Sequence, residues 1–229
     1  MNAVRASLWA FASLVRRLGG GAGEDDSSRQ PTSSGAESAE RERLIRRILS
    51  TIHNNSILLS GRPGSGKTSI LLHLKERLTT GGDPATEFFP VFISLHDVPE
   101  RLLFATVAGA VLGQLAPTAL SATTRLDSDY GHRDLANDFR SVIRALGERS
   151  SKQARLVLLV DGIDELNNYD PRTTQRVRSL FMASLAENLV MVASAVEIDK
   201  HWEQEGSPWY NFFEEIELPA APRERKRSG

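Results

Sequence analysis

At 229 residues, 40% hydrophobic and 25% charged, with a formal net charge of −1, the chain has the makeup of a globular protein long enough for one α/β domain. That balance carries no strong nucleic-acid signal, and the five scattered histidines show no ligand spacing. The lack of cysteine excludes disulfides and thiolate metal sites and is compatible with a reducing, cytoplasmic location.

Val4, Leu8, Phe11, Val15 and Leu18 recur with helical spacing while Arg5, Arg16 and Arg17 lie off that stripe, so residues 1–18 are expected to form an amphipathic helix. The segment is too short and too charged to span a bilayer. Packing against protein is the plainest use of its stripe; association with an anionic membrane and an import signal are alternatives, neither favoured. Residues 19–37, rich in Gly, Ser and Asp, are expected to be a flexible linker, residues 38–219 the folded domain, and residues 220–229, with Arg223, Arg225, Lys226 and Arg227, a disordered basic tail.

Leu44, Ile45, Ile48, Leu49 and Ile52 mark the first helix of the domain, and Ser56 to Ser60 reads as an apolar strand. Directly after it, Gly61-Arg62-Pro63-Gly64-Ser65-Gly66-Lys67-Thr68 completes G-x-x-x-x-G-K-[ST], followed by Ser69 and a helix with Ile70, Leu71, Leu74 and Leu78 on one face. Strand, glycine-rich loop and helix together make a nucleotide-triphosphate site. The glycines permit backbone dihedrals that turn successive N–H groups inward around a phosphate. The helix start adds partial positive charge, Lys67 adds a full charge for the β- and γ-phosphates, and the Thr68 hydroxyl is a ligand for Mg²⁺.

Gly81, Gly82 and Pro84 break the chain before a strand over residues 90–95, and Pro99 and Glu100 open a helix through Leu102, Val107, Val111 and Leu115. That helix is apolar nearly all round, which requires deep packing or a covering partner. Residues 118–133 read as irregular; Leu135, Phe139, Val142, Ile143 and Leu146 give another helix, with Gly147 as its expected stop.

Leu156-Val157-Leu158-Leu159-Val160 is the continuous apolar run of a strand buried on both faces, and it ends in Asp161-Gly162-Ile163-Asp164-Glu165. A carboxylate at the carboxyl end of a central strand lies where ligands bind in open α/β sheets, which places Asp161 to hold Mg²⁺ through its water shell. Neighbouring acids on one turn repel each other unless a cation and a polarised water give them partners. Asp170-Pro171 then opens a helix, residues 189–194 form a strand, Trp202, Trp209, Tyr210, Phe212 and Phe213 cluster, and a last strand is expected over residues 215–218. An aromatic cluster of this kind is more often core or interface than a clamp for a base.

The loop at 61–68 and the segment Leu-Val-Leu-Leu-Val-Asp-Gly-Ile-Asp-Glu-Leu resemble the Walker A and Walker B boxes of STAND-type P-loop ATPases, with the Asp-Gly-x-Asp-Glu form nearest the NACHT branch and origin-recognition-type AAA ATPases as relatives. Residues 40–44 resemble the box that opens such modules, and residues 89–95 their second strand. The resemblance implies that Asp161 binds Mg²⁺ and that Asp164 or Glu165 orients and deprotonates the attacking water. It also implies a three-layer α/β fold with a five-stranded parallel sheet in the order 5-1-4-3-2. In the strand ending at Ser194, where relatives continue with an arginine that senses the γ-phosphate, this chain has Ala195, so sensing is expected from Ser194 at the nucleotide, from another arginine, with Arg172, Arg176 and Arg178 as candidates, or from no group. The chain is expected to lack the helical lid of its relatives.

These features lead to an ATP-binding, Mg²⁺-dependent ATPase core of a signalling switch, working with a protein partner or as a homo-oligomer. An ATP-binding regulator without turnover and a small-molecule kinase are the alternative readings.

Overall fold

A computed structural model of the chain describes residues 33–115, 126–182, 188–198, 202, 204–205, 207 and 209–219. The expected helix over residues 1–18 and tail over 220–229 lie outside them. The chain divides into two compact units, Met1–Arg43 and Leu44–Gly229. Described residues of the first are helical, belonging to α1 (Ser33–Thr51). The expected linker reached residue 37, but the helix already begins at Ser33, because Ala36, Glu37, Ala39 and Glu40 are strong helix formers that outweigh Gly35.

The second unit alternates strands and helices: β1 (Ser56–Ser60), α2 (Lys67–Thr80), β2 (Thr86–Ser94), α3 (Leu103–Leu115), α4 (His132–Arg149), β3 (Gln153–Asp161), α5 (Pro171–Met182), β4 (Leu189–Ala195) and β5 (Phe213–Glu217). All five strands are parallel in the order β2-β3-β4-β1-β5, which is the expected 5-1-4-3-2 read from the other edge. Inserting β4 between β1 and β3 puts Ser60 beside Ala195 and Asp161 beside Ser194. The ends of the two motif-bearing strands are thus separated by one strand.

Central β1, β3 and β4 are apolar along nearly their whole length because helices cover both sheet faces. The edges carry different protection. On β2, Pro90 has no N–H to offer, and the Gln114 amide of α3 caps the next outward pair, donating to the Phe92 carbonyl at 2.9 Å and accepting from its N–H at 3.3 Å. On β5, Glu214, Glu215 and Glu217 make an edge ill-suited to further pairing.

The nearly all-apolar α3 is deeply packed, with Leu103, Phe104, Ala105, Ala108, Val111 and Leu112 in a core shared with α4, α5 and the sheet. Most of the aromatic cluster is core as well: Trp202 and Trp209 are buried and stacked at 5.1 Å, and Trp209 stacks on Phe213 at 5.6 Å, whereas Tyr210 is exposed.

Several boundaries differ from expectation. Arg133 lies inside α4, whose start is fixed by Asp134 accepting from the Gly131 N–H at 2.9 Å. The same helix passes Gly147 and ends at Arg149, since one exposed glycine costs only about 1 kcal/mol and buried Leu146 anchors the last turn. Strand β5 starts at Phe213, ahead of the expected 215, because Ser56 of β1 pairs with it there.

Candidate nucleotide site

The loop between β1 and α2 takes the backbone its glycines allow. Gly61, Gly64 and Gly66 have φ of 150°, 80° and 88°, and a Cβ added at Gly64 or Gly66 would meet nothing within 4 Å. Open space over these two positions is what a cradle for an anion requires. Gly61 differs: a Cβ there would lie 3.0 Å from the Leu218 carbonyl oxygen, so the residue after β5 packs on the loop's first turn.

Lys67 opens α2 and is buried, its ammonium donating to the carbonyls of Gly61 at 2.5 Å and Arg62 at 2.9 Å and to Ser65 Oγ at 3.3 Å. The side chain arches back over the loop and closes it. Burial pushes the lysine pKa below its ordinary value, against an opposing pull from the carboxylates of Asp164 and Asp161. Arg62, Pro63 and Ser69 are exposed at the rim.

Asp161, at the carboxyl end of β3, is buried and gripped on both oxygens. Its Oδ2 accepts from Thr68 Oγ1 at 2.8 Å, past the end of the intervening β4, and its Oδ1 accepts from Ser194 Oγ at 2.5 Å. Ser194 in turn accepts the Gly162 N–H at 3.2 Å. Thr68 and Asp161, the two residues expected to share a cation, are therefore adjacent. Donor atoms on one divalent ion at bonds of about 2.0–2.2 Å stand roughly 3 Å apart, so this hydroxyl–carboxylate pair fits Mg²⁺.

Gly162 has φ of 79°, and the chain then coils into a 3₁₀ turn, Ile163–Asn168. That turn divides the two following acids. Asp164 Oδ2 accepts from the Val196 N–H at 3.1 Å, just beyond β4, while its buried Oδ1 has no partner among the described residues. Glu165 lies near Tyr169, whose phenol pKa is pushed up to about 12 by burial and then by Glu165 and Glu100. Of the two acids, Asp164 is the one whose charge acts on Lys67.

The sequence gives no signal for His96. Its Nε2 stands 3.6 Å from Asp161 Oδ2, and its ring lies so close over Gly162 that an added Cβ would come within 2.6 Å of it. A turn closed by the Val98 N–H on the Leu95 carbonyl at 3.0 Å presents it, with Asp97 at φ of 59°. The Tyr169 hydroxyl donates to the Val98 carbonyl, tying the turn to the segment after Asp161. Among the proposed arginine sensors, Arg178 donates to the Ser207 carbonyl at 3.1 Å, and Arg172 and Arg176 are exposed on α5.

No helix among the described residues is long and apolar enough to cross a membrane. No curated protein matches the chain. Among solved structures, the Aeropyrum pernix ORC2 protein in its ADPNP–ADP complexes aligns at 14% identity and a TM-score of 0.54, over 86% of this chain and 51% of that one. A Walker-type ATPase of Pyrococcus abyssi aligns at 16% identity and 0.54, over 78% and 53%. The Aeropyrum pernix ORC1 protein in complex with DNA aligns at 17% and 0.51, over 81% and 46%. The chain thus spans about half the length of these structures, and at such identities the likeness is one of fold. The AAA ATPase domain family matches residues 37–192, more than half of the chain, and the protein belongs to that family.

Proposed function

We propose that this domain binds ATP with Mg²⁺ and is the ATPase core of a regulatory switch of the STAND type, nearest its NACHT branch. The observation that carries the reading is the 2.8 Å hydrogen bond from Thr68 to Asp161, which joins the start of α2, after the phosphate loop, to the end of β3, where the Asp161 charge also acts on the Lys67 ammonium. A divalent cation at that point supplies charge neutralisation for the phosphate oxygens. Backbone N–H groups of residues 61–68, with Ser69 at the start of α2, cradle the phosphates, and Lys67 leaves the loop carbonyls for the β- and γ-oxygens.

The acids after Asp161 support a hydrolytic reading. Water in line with the γ-phosphorus forms the new P–O bond as the bridging oxygen departs with ADP, and its proton passes to Asp164 or Glu165. Support for the STAND assignment comes from Gly162: its left-handed backbone turns the chain so that an acid two residues on, rather than the next residue, comes back toward β4. A protein partner or a second copy would complete such a switch.

The binding-only reading keeps the same site without turnover, and one observation favours it. Ser194 is committed to Asp161 and Gly162, and Ala195 follows, so β4 presents no group for the γ-phosphate. Thermal unfolding with and without ATP–Mg²⁺ tests the reading shared by both. Stabilisation should be present in wild type and absent in Lys67→Ala; equal stabilisation of the two would place the nucleotide elsewhere.

A further inference from the structure

Three features of His96 stand apart from the pattern of phosphate loop and acidic strand end. Its Nε2 is 3.6 Å from Asp161 Oδ2, the same oxygen that accepts the Thr68 hydroxyl, whereas Ser194 holds the other oxygen. The imidazole is half-exposed rather than sunk in the core, with a side-chain exposure of 54%. Its ring has room only because residue 162 is glycine, and the turn that presents it is fixed through Val98 by Leu95 and Tyr169.

We propose that His96 adds a nitrogen donor to the cation position defined by Thr68 and Asp161. This inference rests on the nucleotide reading above. Ligands bound to one ion at about 2.0–2.2 Å are separated by roughly 3–4 Å, according to the angle between them; the His96 separation of 3.6 Å from Asp161 Oδ2 falls in that span, and the Thr68 separation of 2.8 Å lies just under its lower end. Hydroxyl, carboxylate and phosphate oxygens make a hard site that suits Mg²⁺. An imidazole shifts the preference toward borderline ions such as Co²⁺, which imidazole nitrogen binds better than it binds Mg²⁺. The chemical class of cofactor is therefore a nucleotide complex of a first-row transition ion, accepted in addition to the magnesium complex.

The test uses the full chain, ATP, and Mg²⁺, Co²⁺ or Mn²⁺. His96→Ala removes the ring, and His96→Phe keeps an aromatic ring over Gly162 without its nitrogen. Apparent affinities from ATP-dependent thermal shifts should show a cobalt-over-magnesium preference at least about tenfold greater in wild type than in either variant. Electron spin-echo modulation of the Mn²⁺–ATP complex should carry a ¹⁴N imidazole signature in wild type that both variants lack. An equal cobalt-to-magnesium ratio in wild type and variants, or a nitrogen signature that survives in them, overturns the proposal. So does tighter magnesium-dependent binding by His96→Ala, which would make His96 a competitor for Asp161. Those outcomes leave ATP binding intact, whereas loss of ATP stabilisation in wild type with every metal would overturn the nucleotide reading itself.

Discussion

Ser194 Oγ lies 2.5 Å from Asp161 Oδ1, and the two residues are register partners at the ends of adjacent strands β4 and β3. Strand pairing therefore sets the orientation of the carboxylate. With one oxygen taken by Ser194, the other faces Thr68 and the phosphate loop. The Ser194 hydroxyl, expected from sequence to stand near nucleotide, is a positioning group for Asp161 in this structure.

Ser194→Ala should leave Asp161 Oδ1 and the Gly162 N–H, both buried, without their partner. The expected loss is about 1–3 kcal/mol of folding stability, read as a lower urea midpoint at unchanged m-value. Magnesium-dependent ATP binding should weaken with it because the carboxylate is freed to rotate. Unchanged binding alongside reduced stability would confine the serine to a packing role.

Gly162→Ala combines two penalties. A non-glycine residue at φ of 79° costs roughly 1–2 kcal/mol, and the new Cβ would sit 2.6 Å from the His96 ring. The His96→Ala background should remove the second penalty and leave the first, giving a coupling in a double-mutant cycle. Equal losses in both backgrounds would show that the ring yields without cost.

Much of this architecture is legible in the chain. The buried strands announce themselves as continuous apolar runs, and residues 61–68 fix a loop whose geometry permits few alternatives. What could not be read are contacts made by pairing between distant strands. The bond between Ser194 and Asp161 exists because β4 inserts between β1 and β3, an order that periodicity does not encode. His96 is a lone histidine after an edge strand, and nothing in its neighbours along the chain points to Asp161; Gly162 offers a hint only once the ring is seen over it. The helical start at Ser33 was obscured by surrounding Gly and Ser residues, whose local preferences are weaker than the sum over the Ala-Glu run.

Acid sensitivity should arise partly at the opposite end of the sheet. Asp83 Oδ1 accepts from the N–H groups of Thr86 at 2.6 Å and Ala85 at 2.9 Å, which hold its pKa below the ordinary 3.8, and the charges of His53 and Lys152 act in the same direction. A carboxyl depressed in the folded state stabilises the fold above its unfolded pKa, and that contribution disappears as pH falls through the folded value. Asp83→Ala should therefore lower the urea midpoint at neutral pH, with the gap from wild type closing below pH 3.8. A gap that stays constant down to pH 2 would mean that the Asp83 charge plays no part.

The two acids after Gly162 should separate kinetically. Asp164 is bonded to the Val196 N–H through one oxygen, has the other buried without a partner among the described residues, and acts electrostatically on Lys67. The charge of Glu165 acts on the Tyr169 phenol instead. If water is activated at this site, the group that takes its proton must be within reach of the γ-phosphate, and Asp164 meets that condition more directly. Asp164→Asn should slow single-turnover phosphate release by about 10²- to 10⁴-fold, the usual contribution of a general base, while ATP-dependent thermal stabilisation persists. Glu165→Gln should cost less. The reverse ranking would assign the base to Glu165 and require the 3₁₀ turn to rearrange when nucleotide binds. Equal rates in wild type and both variants would favour the binding-only regulator, since a site that does not hydrolyse ATP has no base to lose.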